Sequence, residues 1–292
     1  MDYKLETFKT LERVRFGRSN LLAANYGGSM QHLKRELGRL RNKGLLSKPR
    51  LQEDNKNYRS SSHIYELTPT AEKLLKQQGF NVTRWDNQKN FWHRLMIADI
   101  MLLVEIACKQ RGLTFRHRQN IIGDKPLQFE THVSHEFPKH VERYDGALQP
   151  DELFAINNTC FVLEADRQTE PIYRDNFKAS SYLRKILQYR EVLKSGSYKE
   201  LIPNMVVLNI TTSVEHARNI KNFVYDDMGM KSKSMLFMGL PILGTHDDYP
   251  RPRFMLQDEK PDEEIDQRRI DLLDLPFERA GFDPFIIGEE VI

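Results

Sequence analysis

Apolar residues recur at helical spacing through the first eighty residues, with short polar segments between them. One apolar face repeats at steps of three and four residues, through Met30, Leu33, Leu37 and Leu40. Ser29 precedes this face as a helix cap, and Gly44 follows it as a helix end. Two short strands enclose a polar loop at 52–62, and a further helix starts at Pro69. The segment is therefore predicted to fold as helix, helix, hairpin, helix.

From residue 91 the apolar runs become longer and more continuous, which is typical of buried helices and central strands. Residues 91–110 are apolar almost all round and predict a buried helix. A strand is expected at 113–122 and a long loop at 123–142. The remaining pattern predicts, in chain order, strands at 150–156 and 159–166, a helix at 174–194, a strand at 204–210, a helix at 214–225 and a strand at 234–240. This order indicates an α/β (α+β) fold, a mixed sheet covered by helices.

A chain of 292 residues can form two modest domains with their own cores. We predict domains at 1–85 and 86–246, followed by an acidic extension at 247–292. No apolar run approaches the roughly 20 residues of a membrane span, and the N-terminus has no export signal. Cys108 and Cys160 both lie in apolar runs, which favours buried free thiols in a reducing compartment. These features predict a cytoplasmic protein with no membrane partner.

Charge is distributed unevenly along the chain. Residues 1–85 hold 17 Lys and Arg against 8 Asp and Glu, whereas residues 247–292 hold 6 against 14. A basic N-terminal module suggests a polyanionic partner. The acidic end is either a solvated tail or a shield for the basic module or a nuclease groove.

The first 80 residues resemble a winged helix-turn-helix domain, through the run Leu-Arg-Asn-Lys-Gly-Leu-Leu at 40–46 and Tyr-Glu-Leu-Thr-Pro-Thr-Ala-Glu at 65–72. This resemblance implies that the helix before the hairpin enters the major groove of double-stranded DNA. The polar face of that helix offers Gln31, His32, Lys34, Arg35, Arg39 and Lys43. The strands and wing add Lys48, Arg50, Lys56 and Arg59 as candidate phosphate contacts. The alternative is a wing used for protein docking or for forming a homodimer.

Three carboxylates are predicted to meet at one strand end. A two-residue turn at 157–158 would set Asp151 directly across from Glu164, and strand alternation puts Asp166 on the same face as Glu164. Like charges that close repel unless a cation lies between them, and hard divalent cations prefer oxygen ligands. The pattern therefore predicts a site for Mg²⁺ or Mn²⁺. The alternative is a solvated strand end without a metal.

A Pro-Asp strand followed by a hairpin and an acidic strand resembles the restriction-endonuclease-like core, whose pattern is P-D, then D/E-x-K. Asp151 and Glu164 match that pattern, whereas Asp166 stands at the lysine position. Some members of that superfamily carry the lysine on the following helix. Lys185, or less favourably Lys178, would then supply the positive charge.

A closer resemblance is to the replication-relaxation family of mobile elements, which is similar to conjugative relaxases of the C mobilisation class. Its pattern is P-D, then E-x-D-R-x-T-E, then K-x-x-x-Y on a helix, and matching segments occur at 149–154, 161–171 and 183–189. The resemblance implies a winged helix joined to a nuclease-like core. His93 resembles the histidine that opens the first core helix, but Arg94 follows it where those relaxases carry Glu.

By that resemblance, Asp151, Glu164 and Asp166 would hold the metal and Lys185 would offset charge on the phosphate, making these four the candidate catalytic residues. Arg167 would bind phosphate or pair with Glu170 or Asp166. Lys185 and Tyr189 are one helical turn apart and project together, and Tyr189 is a nucleophile or, preferably, a packing and hydrogen-bonding residue.

Three functional hypotheses follow. The first is a mobile-element protein that binds DNA through its winged helix and cleaves or nicks it with a metal, with other replication or mobilisation proteins as candidate partners. The second is a non-catalytic replication or transcription factor with a degenerate nuclease-like core. The third is a structural adaptor that uses the acidic tail.

Overall fold

A computed structural model describes residues 3–27, 29–50, 62–80, 82, 90–138, 140–243, 251–252 and 269–290. The chain forms two compact units, Met1–Arg111 with Ile242–Leu273, and Gly112–Pro241 with Asp274–Ile292. These units differ from the predicted boundaries at 85 and 246. The long apolar helix belongs to the first unit, and the last residues contribute strands to the sheet of the second.

The first unit begins with helices and a small sheet. Its elements are α1 (Tyr3–Val14), β1 (Gly17–Arg18), α2 (Ser19–Tyr26), α3 (Met30–Asn42), β2 (Leu46–Ser47), β3 (Ile64–Leu67), α4 (Pro69–Gln77) and α5 (Phe91–Arg111). The strands pair in the order β1-β3-β2, all antiparallel. Ser29 caps α3 by accepting a hydrogen bond from the His32 amide at 3.3 Å, and Thr68 caps α4. This order is consistent with a winged helix, but the predicted wing at 52–62 lies outside the described residues except for Ser62.

Helix α5 is buried along most of its length, as its apolar sequence predicts. Two acidic residues lie inside it, and both are paired. Asp99 bonds to Arg18 at 2.8 Å, and Glu105 lies 2.9 Å from Lys109. Within the described ranges, no helix combines the length and the apolar character that crossing a bilayer requires.

The second unit is built on a seven-stranded mixed sheet. In chain order, the remaining elements are β4 (Phe115–His117), α6 (Arg118–Ile122), β5 (Phe129–Phe137), β6 (His140–Leu148), β7 (Glu152–Ile156), β8 (Thr159–Asp166), α7 (Tyr182–Ser195), β9 (Val206–Thr211), α8 (Val214–Asn222), β10 (Met235–Gly239), β11 (Arg251–Pro252), β12 (Arg269–Ile270), β13 (Pro276–Arg279), β14 (Phe282–Ile286) and α9 (Ile287–Glu290). Of these, β11 and β12 belong to the first unit. The sheet order is β14-β13-β10-β9-β8-β7-β4. Strands β8, β9 and β10 run parallel, and β7 is antiparallel to β8. The predicted mixed sheet flanked by helices is confirmed.

The side chains of β8 at positions 160, 162 and 164 point to the sheet face that α7 covers. Val162 packs there with Ile186 and Tyr189 of α7 and with Val207 of β9, and all four are fully buried. Cys160 lies in the same core, and both it and Cys108 are buried free thiols, as predicted. The two last polar positions on this face, Glu164 and Asp166, therefore lie beside the core and at the carboxyl end of β8.

Gly239 allows α8 to begin close to the end of β10. A Cβ atom at this position would lie only 2.3 Å from Cα of Val214, the first residue of α8. No side chain fits such an approach, so the glycine is needed for contact rather than for backbone freedom.

Three sequence expectations are wrong in detail. The loop expected at 123–142 contains β5 and the start of β6, which pair over nine residues. Alternate residues of β5, such as Thr131 and Val133, are buried in a strand that packs on α7, while the exposed residues between them gave the segment its polar appearance. The helix expected from 174 begins only at Tyr182, after its cap Ser181. The strand expected at 113–122 ends at His117 and continues as α6.

Candidate functional site

The hairpin of β7 and β8 has the predicted register. Ile156 pairs with Thr159 across the turn, and Glu152 pairs with Leu163. Asn157 adopts a positive φ of 52°, as a tight two-residue turn requires. Beyond the last ladder pair, the Asp151 amide donates to the Leu163 carbonyl at 3.1 Å, and the Ala165 amide donates to Asp151 Oδ2 at 2.8 Å. Asp151 is thus fixed beside the end of β8, next to Glu164.

Glu164 is the buried centre of the site, with 2% of its surface exposed. The Tyr189 hydroxyl donates to Glu164 Oε1, and Lys185 Nζ lies 2.9 Å from Glu164 Oε2. Burial raises the pKa of Glu164 to about 7, although the Lys185 charge opposes this effect, and the Asp151 charge raises the pKa further. The protein environment alone therefore disfavours negative charge at this carboxyl group.

Lys185 bridges two carboxylates. Its Nζ atom lies 2.7 Å from Glu170 Oε2 as well as 2.9 Å from Glu164, and the Ser180 hydroxyl donates to the other Glu170 oxygen. Burial acts to lower the pKa of Lys185, but the two carboxylates outweigh it and hold that pKa above its usual value. About 21% of the Lys185 side chain remains exposed. Lys178, the other candidate, is exposed, and its charge acts on Glu142 instead.

Asp166 lies on the same face but is held by a different set of groups. Its Oδ1 atom accepts hydrogen bonds from the Thr169 amide at 3.0 Å and hydroxyl at 3.3 Å. Its Oδ2 atom lies 3.1 Å from His216 Nε2, in the first turn of α8. The Tyr182 ring lies between the two halves of the site, with its centroid 5.7 Å from the His216 ring and 5.5 Å from Lys185 Nζ.

Arg167 has neither of the acidic partners that the sequence suggested. Glu170 pairs with Lys185 and Asp166 pairs with His216, and no hydrogen bond or ion pair to Arg167 occurs among the residues that the structure describes. Burial lowers the pKa of this guanidinium group. The next residue, Gln168, has a φ of 63° and is anchored by its amide to Thr212 Oγ1 at 3.1 Å.

Sequence reasoning missed two residues of the site. His216 had no motif to mark it, because it reaches Asp166 only through the packing of α8. Asn209 is the register partner of Glu164 on β9 and is fully buried. Its Nδ2 atom donates to the Leu236 carbonyl at 3.1 Å, while its Oδ1 atom accepts no hydrogen bond within the described part of the chain.

The donor chemistry of the site fits a hard divalent cation, since Asp151 and Glu164 are adjacent carboxylates whose charges repel. Nevertheless, no group of three or more His, Cys, Asp or Glu side chains in the described ranges lies close enough to hold a metal. Asp166 is turned towards His216 and Thr169. The metal site and its three ligands remain a prediction.

The predicted DNA-reading face of α3 is exposed. Its apolar residues Leu33, Leu37 and Leu40 are buried. The opposite side presents Gln31, His32, Lys34, Arg35, Arg39 and Lys43 to solvent. Among the strand and wing residues, Arg50 is exposed and Lys48 is half-buried, whereas Lys56 and Arg59 lie outside the described residues. Burial lowers the pKa of His63, and the charges of Lys48, Arg41 and Lys34 add to this shift, which reports a positive field at this face.

A model of the family described as Replication-relaxation matches residues 8–205, about two thirds of the chain. No curated protein matches it. A similar solved structure is the crystal structure of protein VC1899 from Vibrio cholerae, with 13% sequence identity and a TM-score of 0.23. That match covers 84% of this chain and 54% of that one, so the chain spans about half the length of the solved protein. A likeness this low carries no argument about fold or function.

Proposed function

The chain belongs to the replication-relaxation family, and from this premise we propose that it binds double-stranded DNA through its first unit and cleaves or nicks DNA at the acidic site of its second unit. Family membership makes it a replication- or mobilisation-related protein. The observation that carries the cleavage proposal is the Asp151, Glu164 and Lys185 arrangement. Lys185 lies 2.9 Å from Glu164, so α7 supplies the positive charge that Asp166 cannot supply at the usual lysine position.

The roles of the residues follow from their contacts. Asp151 and Glu164, with Asp166 as the predicted third ligand, would hold Mg²⁺ or Mn²⁺. Such an ion would lower the pKa of a bound water and stabilise the leaving oxygen. Lys185 is kept protonated by Glu164 and Glu170, and it would stabilise negative charge on the phosphate.

Tyr189 orients Glu164 through its hydrogen bond and is itself fully buried. A nucleophile must reach the phosphorus atom, so we assign Tyr189 a positioning role.

DNA binding by the first unit is supported by charge and exposure together. The exposed polar side of α3 carries four of the predicted basic contacts, Lys34, Arg35, Arg39 and Lys43. Of these, Arg39 pairs with Glu36 at 2.8 Å, in an exposed ion pair that solvent screens. A helix that presents lysine and arginine side chains in this way can contact phosphates on both sides of a groove.

A second candidate function is a DNA-binding protein whose core no longer cleaves. It is favoured by the contacts of the three carboxylates, each of which already accepts hydrogen bonds from protein groups. An acidic site satisfied in this way can be stable without a metal. The two candidates predict the same DNA binding and differ only in chemistry.

The deciding experiment measures relaxation of supercoiled plasmid with Mg²⁺ or Mn²⁺. Asp151→Asn, Glu164→Gln and Lys185→Met should each lower the nicking rate by about 100-fold or more, because the first two remove proposed metal ligands and the third removes the charge that stabilises the phosphate. Lys199→Gln and Glu215→Gln are matched controls, since both side chains are exposed and lie outside the site. Their rates should stay within about twofold of wild type.

DNA affinity is measured on the same proteins across a salt series. Wild type should lose affinity steeply as salt rises, because phosphate contacts release counterions. Arg35→Gln with Arg39→Gln should weaken binding and reduce the salt slope by about one per lost contact. Equal DNA binding without any nicking by wild type would support the non-catalytic candidate. A flat salt response would contradict DNA binding by the basic module.

A further inference from the structure

Two adjoining cavities lie along the side of α7 that faces away from Glu164. The larger, of about 610 Å³, is lined by residues of β5, α7 and the turn after α8, and the smaller is about 390 Å³. Arg190 and Met228 line both cavities. The two together form one continuous depression in the second unit, which we call the α7 groove.

The smaller end of the α7 groove is cationic. Arg190, Lys194 and Lys231 line it, and no acidic residue in the described ranges does. None of these three cations has an ion-pair partner among the residues that the structure describes; Arg190 contacts only the sulfur of Met230, at 3.7 Å. Three basic side chains around a cavity with a methionine-rich lining are suited to an anion such as a phosphate group. Arg190 also lines the larger cavity, together with Glu136 and Asp227.

The larger end of the α7 groove is aromatic. Tyr173 is 44% exposed, and its ring centroid lies 6.5 Å from that of His135, at an angle of 76°. Burial lowers the pKa of His135, and the Arg190 charge adds to this effect, although the Glu136 charge opposes it. Glu136 and Asp227 complete this end of the lining. Aromatic faces stack on nucleobases, and carboxylates accept hydrogen bonds from base amino groups.

Helix α7 separates the groove from the acidic site. Lys185 and Tyr189 contact Glu164, whereas Arg190 lines the groove. Successive residues turn by about 100° around a helix, so Arg190 projects from a different side of α7 than Tyr189. Arg190 is five residues beyond Lys185, which corresponds to about 7.5 Å along the helix axis. The groove is therefore a second feature of α7, built from other side chains.

We propose that the α7 groove binds a nucleotide, with its phosphate between Arg190, Lys194 and Lys231 and its base against Tyr173 and His135. The cationic and aromatic ends meet at Arg190, as phosphate and base meet in one nucleotide unit. This chemistry is shared by a free nucleotide and by one unit of a single DNA strand. The inference does not depend on cleavage at Glu164.

The test uses the full chain and two fluorescent probes, a labelled mononucleotide and a labelled four-residue oligothymidylate, with binding followed by anisotropy. Arg190→Gln should weaken binding by about 10-fold, because it removes the cation shared by both ends. Tyr173→Ala should weaken it by about 10-fold through lost stacking. Lys199→Gln, an exposed lysine outside the groove, is the control and should bind like wild type.

Each variant is also prepared with Arg35→Gln and Arg39→Gln, so that DNA binding by the first unit does not mask the effect. Thermal unfolding checks that every variant is folded. Tighter binding of the oligonucleotide than of the mononucleotide identifies a DNA strand as the ligand, and equal binding identifies a free nucleotide.

Three results would overturn the proposal. They are no binding of either probe by folded wild type, binding unchanged by Arg190→Gln, and competition by inorganic phosphate with no effect of Tyr173→Ala.

Discussion

Two acid–base pairs with a buried carboxyl group, one taken from each unit, have almost the same length. Arg18 and Asp99 are 2.8 Å apart in the first unit, and Lys185 and Glu164 are 2.9 Å apart in the second. Burial is the main cause that raises the pKa of both carboxyl groups. The difference lies in the cation: 4% of the Arg18 side chain is exposed, against 21% of Lys185.

This difference in access separates a structural pair from a candidate functional one. Asp99 has Arg18 as its partner, and its Oδ1 atom accepts no hydrogen bond among the described residues. Glu164 has Tyr189 as a second partner, and Lys185 has Glu170 as a second carboxylate. A sealed pair can only hold elements together, whereas a partly exposed lysine side chain that contacts two carboxylates can exchange one contact for a substrate oxygen.

The largest effect is expected from breaking the sealed pair. Arg18→Met should lower the free energy of unfolding by about 3–5 kcal/mol, because it leaves Asp99 buried without a counterion. Urea denaturation followed by circular dichroism measures this loss. The double variant with Asp99→Leu should recover most of it, since no buried charge remains. A loss below about 1 kcal/mol in the single variant would show that the two pairs do not differ as proposed.

A somewhat smaller effect is expected in the pH dependence of stability, through Glu164 of the Lys185–Glu164 pair. The pKa of Glu164 is about 7 when folded, against an ordinary value of 4.5, so the folded state binds the proton more tightly. The contribution of Glu164 to the free energy of unfolding is therefore fully present below pH 4.5 and is lost as pH rises to about 7. Wild type should lose up to about 3 kcal/mol across this window relative to Glu164→Gln. Parallel pH profiles of unfolding free energy for the two proteins would contradict this assignment.

The smallest effect is expected from the hydrogen bond between Tyr189 and Glu164, which has no counterpart at Asp99. Tyr189→Phe removes the donor to Glu164 Oε1 but keeps the packed ring, so the unfolding free energy should fall by about 1 kcal/mol. Tyr173→Phe, at an exposed tyrosine, is the matched control and should change stability by less than about 0.5 kcal/mol. Equal changes in stability in both variants would contradict a stabilising hydrogen bond between Tyr189 and Glu164.

The sequence predicted the parts of the site that local rules control. The hairpin register follows from a two-residue turn between alternating strands, and it sets Asp151 beside Glu164. The four-residue spacing on α7 brings Lys185 and Tyr189 to one side, so their contacts with Glu164 could be anticipated. The sequence did not indicate the β5–β6 pair, because the exposed residues of these strands make the segment polar. Alternate residues of β5 are nevertheless apolar or buried.

The contacts that could not be predicted depend on tertiary packing. His216 is 50 residues from Asp166 along the chain. It reaches Asp166 because β9 lies parallel to β8 and α8 follows β9 directly. The pairing of Lys185 with Glu170 likewise depends on the irregular segment before α7, whose path no periodicity describes. Local pattern therefore predicts which side chains share a face, and packing decides which of them meet.

Gly239, at the end of β10, determines a contact of Asp166 on β8, two strands away in the sheet. Because β10 ends without a Cβ atom, the backbone of α8 can settle onto the strand, and its first turn delivers the imidazole of His216 to the end of β8. A single methyl group added there would wedge the helix off the sheet and withdraw that ring from Asp166. The contact between His216 and Asp166 therefore depends on the absence of a side chain at Gly239.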